Sequence, residues 1–158
     1  MQTNGGGPGA HLTQEQQATQ ALLAVLRQEQ DRLIDADAEG LAALLEEKLR
    51  LVAGVTQLTL ARHRALAAAG FDASETGMRA WVGKPAASVE AAQAWARLLE
   101  LAREAKEINR TNGMLINKQL ARNQSALSIL QGKSQNGDFY GPNGQAASRT
   151  VSRSRVIG

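Results

Sequence analysis

Side chains able to do acid–base or metal chemistry are few in this chain and poorly spaced for it. Two histidines, His11 and His63, and no cysteine occur in 158 residues. Neither imidazole has a carboxylate or a second histidine at ligand spacing, so the sequence offers no metal set. The absence of cysteine excludes disulfides, iron–sulfur clusters and cysteine-held zinc. His63 sits between Arg62 and Arg64 and reads as solvent-exposed. Glu46 and Glu47 are adjacent, and neighbours on a helix point to different faces, where they cannot share a proton. Glu100, Glu104 and Glu107 interleave with Arg103 and Lys106, the texture of a salt-laced helix surface. No phosphate loop, dinucleotide fingerprint or serine elbow is present, and the Gly5–Gly9 run has no strand–helix context around it. A non-enzymatic protein without metal or cofactor is expected.

What remains is binding chemistry, and it concentrates on one helical stretch. Asn109, Asn112, Gln119 and Asn123 place amides along a region where Leu101, Ile108, Leu115 and Ile129 recur on a seven-residue ladder, with Arg122 between the last two. A second ladder runs Trp95, Ala102, Asn109, Ile116, Asn123, Leu130. Heptad spacing suits packing along another long helix. An amide at such a seam costs stability and fixes register. Gly113 in the same stretch costs about 1 kcal/mol relative to alanine, which fits either a close backbone approach or a point of bending. Two readings stay open: ordinary bundle packing, or a helix that exchanges between its own bundle and a partner.

The elements that position this stretch follow from periodicity and caps. Apolar residues are mainly Ala and Leu, with five aromatic residues in all, so helices are favoured over an all-β fold. Residues 1–11 read as a flexible, glycine-rich lead-in. Thr13 and Gln16 have capping-box spacing, which predicts a first helix from about residue 12. Asp37 is placed to cap a second, with Glu39 in its first turn and Gly70 at its C-terminal end. Ser74 caps a short connector helix whose Phe71, Met78 and Trp81 plug one end of the bundle. A third long helix opens near Ser88 and stops at Gly132. The expected fold is all-α, an antiparallel up-and-down bundle of three long helices with a short connector helix. The domain limits are 1–11 for the flexible N-terminus, 12–132 for the helical domain, and 133–158 for a mostly disordered basic tail.

Charge is unevenly spread. Residues up to Asn109 hold eleven basic and fourteen acidic side chains, whereas from Arg110 onward seven basic residues face the single Asp138. The cations are dispersed, with no compact patch and few interleaved aromatics, so a solvated face is favoured over nucleic-acid binding. No leader and no run of 18 uncharged apolar residues is visible, and a soluble, cytoplasmic protein is expected.

Three short motifs in order are more specific. They read Asn109-Arg-Thr-Asn112-Gly113-Met-Leu115-Ile116, then Leu127-Ser-Ile-Leu130-Gln-Gly132, then Phe139-Tyr140-Gly141-Pro-Asn-Gly144-Gln145. This stretch resembles the FlgN family of flagellar export chaperones. The resemblance implies a cytoplasmic chaperone of flagellar type III secretion. Such a protein holds hook-associated (hook–filament junction) proteins through its C-terminal amphipathic helix and delivers them to the export gate and ATPase components. It implies no nucleic acid and no stable membrane insertion. On this chain the client-binding residues are then Ile108, Asn109, Asn112, Gly113, Leu115, Ile116, Leu120, Leu127 and Leu130. Tyr140 is the residue expected to touch the export apparatus or the client. The competing reading is a helical coiled-coil adaptor unrelated to secretion.

Overall fold

In a computed structural model, residues 7–137 are described, with side chains to residue 132. They form four helices and, among the described residues, no strand: α1 (Leu12–Ile34), α2 (Ala38–Ala68), α3 (Glu75–Val82) and α4 (Val89–Gly137). The chain divides into two compact units, residues 1–116 and 117–158.

In the first unit the long-range bonds fix the topology. Glu15 meets Arg62 while Glu29 meets Lys48, so α2 runs antiparallel to α1. The Gln16 amide donates to the Ala94 carbonyl and Asn112 donates to the Leu26 carbonyl, so α4 runs parallel to α1. The result is up–down–up, as expected from sequence. α1 and α2 lie close against each other.

Most boundaries have a local cause. The Asp37 carboxylate accepts from the Gly40 N–H at 2.9 Å, Ser74 Oγ from that of Gly77 at 3.1 Å, and Ser88 Oγ from that of Ala91 at 3.0 Å. These satisfy orphan N–H groups at three helix starts. α2 ends in a left-handed turn at Gly70 (φ 82°). There the Phe71 N–H reaches the Leu66 carbonyl at 2.9 Å and the Gly70 N–H the Ala67 carbonyl at 3.1 Å, a Schellman closure. α1 closes the same way with alanine in the glycine position: Ala36 has φ 53°, and the Asp37 N–H reaches the Arg32 carbonyl.

Three sequence expectations change. The Thr13/Gln16 capping box does not form: His11 is the cap residue, without a side-chain cap bond, because Gln16 is drawn to Ala94 at 2.6 Å. Residues 7–11 are not a loose lead-in, since Pro8 is buried and Gly9 lies against the Trp81 ring. A Cβ on Gly9 would come 2.9 Å from Trp81 Cη2. Nor does Gly132 stop α4, which continues to Gly137; one interior glycine costs only about 1 kcal/mol and no proline follows it closely. Residues 1–6 and 138–158, the latter including Tyr140, lie outside the described residues.

The core has two centres. Leu12, Leu66, Met78, Trp95 and Leu98 make one, closed off by Phe71 and Trp81, which is the plug expected of the connector. Leu23, Leu26, Leu101 and Ala105 make the other, with Leu22 and Ile108 against it. Each fully buried Leu contributes about 1.5–3 kcal/mol of transfer free energy.

Candidate functional site

Two buried polar clamps hold the bundle and decide which side chains of α4 are left for other work. Glu15 (2% exposed) on α1 accepts from Arg62 on α2: Oε2 from Nε at 2.9 Å and Oε1 from Nη2 at 3.0 Å. Thr59 Oγ1 donates to the same Oε1 at 2.9 Å. The Arg62 guanidinium lies 4.8 Å from the centroid of Trp95 on α4, where the ring face attracts the cation. One fork–fork pair thus ties all three long helices together. The second clamp centres on Glu29, which takes Lys48 Nζ of α2 at 2.7 Å and Asn112 Nδ2 of α4 at 2.8 Å. Asn112 Nδ2 also donates to the Leu26 carbonyl at 2.9 Å.

The expected binding residues separate into distinct environments. Asn112 is 1% exposed and its amide is committed to α1, so it acts as a register pin and does not present itself to a partner. Ile108 is half-buried against the second core centre. Leu115 and Gly113 are half-buried, Asn109 is exposed, and Ile116 is 39% exposed. A Cβ on Gly113 would meet nothing within 4 Å, so close approach of another backbone within the bundle does not explain this glycine.

In the second unit the described side chains are exposed, except the half-buried Gln119. Leu120, Leu127 and Leu130 are 54%, 57% and 64% exposed. Their spacing of seven and three residues puts them on one stripe of the helix. Between residues 117 and 132 the helix carries Lys118 and Arg122 and no acid. Such a surface can bind an apolar helix or strand in water.

Electrostatics on α4 are otherwise those of a solvated face. The Glu107 carboxyl is held below its ordinary value by hydrogen bonds from the Arg110 guanidinium and by its charge. Among the described residues no group of three or more His, Asp or Glu is placed to hold a metal ion, and no helix is long and apolar enough to cross a membrane. His63, expected to be exposed, is half-buried beside Thr59 and Trp95. Sequence reading missed the Glu15–Arg62 clamp, whose members are 47 residues apart. The one available signal was a glutamate and an arginine each on the apolar stripe of its helix.

Comparison with known proteins agrees with the motif reading. The flagella synthesis protein FlgN of Proteus mirabilis is 36% identical over 66 residues, 42% of this chain and 44% of that protein. The matched stretch thus spans less than half of that relative's length. No solved structure matches significantly. The model of the family described as FlgN protein matches residues 10–148, almost the whole helical chain, and the chain therefore belongs to the FlgN family, a family of flagellar chaperones.

Proposed function

We infer that this protein is a cytoplasmic export chaperone that holds hook-associated proteins of the hook–filament junction and hands them to the flagellar type III export apparatus. The observation that carries this reading is the open apolar stripe of α4. Leu120, Leu127 and Leu130 are all more than half exposed on a helix that has no partner for them among the described residues. A client segment laid along the stripe buries the remaining apolar surface at roughly 25 cal/mol per Å². The bundle, closed by its own clamps, stays folded when the client leaves. Ile116 and Leu115 extend the proposed contact, with Asn109 and Gly113 beside them. Ile108 and Asn112 serve it indirectly, by anchoring α4 to α1. Tyr140 is proposed to contact the export gate or the client.

The test is capture of purified junction proteins by the full-length chain and by a Leu120→Asp/Leu127→Asp variant. Each leucine has about half its surface left to cover, worth roughly 1 kcal/mol, and a carboxylate at each position adds a desolvation cost. Capture should fall at least about thirtyfold, while far-UV circular dichroism and urea midpoint stay near wild type. Undiminished capture places the site elsewhere. A stable dimer in sedimentation, with no capture, favours the coiled-coil adaptor.

A further inference from the structure

α2 buries one face against the bundle and leaves another uncovered. Leu51, Arg62 and Leu66 are its buried residues. At about 100° per residue, a second apolar stripe lies about a third of a turn round the helix from them. Ala42, Leu45, Leu49, Val52, Thr56 and Leu60 follow it at three- and four-residue steps, and His63 and Ala67 end it, the spacing of a coiled-coil seam. Leu45, Leu49, Val52 and Leu60 are 56%, 60%, 41% and 46% exposed, and of the stripe only His63 is half-buried. No Asp, Glu, Lys or Arg stands on it over about 38 Å of helix. The Thr56 hydroxyl donates to the Val52 carbonyl at 2.8 Å, so covering it strands no donor.

Charge stands on one flank of the stripe. Glu46 and Arg64 lie at the same angle on the helix, since their separation makes about five full turns, and both are exposed. Neither has an ion-pair partner among the described residues, whereas Glu47 pairs with Arg50, Lys48 with Glu29 and Arg62 with Glu15. Turned end for end about a point between Gly54 and Val55, the stripe matches itself. Ala42 then meets Ala67, Leu49 meets Leu60, and Glu46 comes level with Arg64 to within one residue. In a two-fold antiparallel pair each flank faces the same flank of the other copy. A parallel pair would instead hold Glu46 and Arg64 about 27 Å apart along the axis.

We propose that this stripe is a homodimer interface, on which a second copy of the chain lays its own α2 antiparallel and each Glu46 pairs with the partner's Arg64. The opposite charges select the antiparallel direction and the apolar seam supplies the attraction. The interface shares no residue with the α4 stripe of the client reading and stands without it.

Sedimentation equilibrium of the full-length chain, from about 1 to 100 μM, should show the mass rising from 16.8 kDa toward twice that value. Leu49→Glu/Leu60→Glu should hold it at the lower value with far-UV circular dichroism unchanged. Glu46→Arg should weaken association about tenfold at low salt, and Glu46→Arg/Arg64→Glu should restore it. Because the chain has no cysteine, introduced thiols read the direction. With a short bis-maleimide, Leu49→Cys and Leu60→Cys chains should cross-link when mixed and not when treated separately, since like positions lie about 16 Å apart along an antiparallel pair. A wild type that stays monomeric throughout overturns the interface, as does a dimer that survives Leu49→Glu/Leu60→Glu. Cross-linking of either variant alone, or no rescue by the double charge exchange, overturns the antiparallel pairing. A monomer whose Leu49→Cys thiol is shielded only by purified junction proteins makes a client the occupant and overturns the second copy.

Discussion

The Glu15–Arg62 clamp gives the sharpest test of how this bundle is held. In Arg62→Leu the Glu15 carboxylate, 2% exposed, keeps only the Thr59 hydroxyl of its three donors. An uncompensated buried charge costs about 3–5 kcal/mol. Glu15→Leu leaves the guanidinium stranded, 8% exposed and with Nη1 already lacking a partner, for a loss in the same range. The double variant has no buried charge left. It loses the cation over Trp95, worth about 1–2 kcal/mol, and leaves the Thr59 hydroxyl without an acceptor. Apolar replacement of a buried pair is otherwise neutral or favourable, so the double variant should lie within about 2 kcal/mol of wild type, and the coupling between the two changes should reach about 4 kcal/mol or more. Urea unfolding followed by tryptophan fluorescence reads this where it happens, because Trp95 is itself part of the clamp. A single Arg62→Leu loss below 1 kcal/mol, or single losses that simply add in the double variant, refutes the assignment.

Two glycine–alanine exchanges in opposite directions should both stabilise. Gly113→Ala places a methyl in open space within a helix and should gain about 0.5–1 kcal/mol. Ala36→Gly relieves a left-handed residue (φ 53°) and should gain about 1 kcal/mol; calorimetric melting of both variants checks this, and a fall in Tm at either contradicts it. The Glu107 carboxyl should titrate below its ordinary 4.5 by carbon-detected NMR and return toward it in Arg110→Gln. Since the folded-state value is the depressed one, the pair favours the helix above the ordinary value, and that support is lost as pH falls through the folded value.

Much of the fold was legible because its causes are local. Asp37, Ser74 and Ser88 each cap a helix through an N–H three residues on, and Gly70 closes α2 through the very turn its missing Cβ permits. The three-helix topology followed from lengths and breaks. The errors arose where a distant partner outbid a local one. Gln16 has capping-box spacing, yet the Ala94 carbonyl, 78 residues away, holds its amide. His63 looked exposed between two arginines, but it lies one turn after Thr59 on the same face of α2 and is half-buried with it. Gly132 looked like a stop because glycine so often ends helices; the backbone runs through it to Gly137.

The amides of α4 show why the candidate site was only half readable. The sequence puts Asn109, Asn112 and Asn123 on closely related ladder positions, and nothing in their spacing says which faces inward. The structure separates them through α1: Asn112 finds both the Leu26 carbonyl and the Glu29 carboxylate, whereas Asn109 is exposed. A buried amide bonded at both donors is costly to shift by one turn, since any other register leaves it unpaired and takes from Glu29 one of its two donors. α4 is thereby pinned to the rest of the bundle at Asn112, as it is nearer its start at Ala94 and Trp95. Among the described residues the leucines beyond that pin have no comparable commitment, and their exposure is what the proposed reversible binding surface requires: apolar area enough to hold a client.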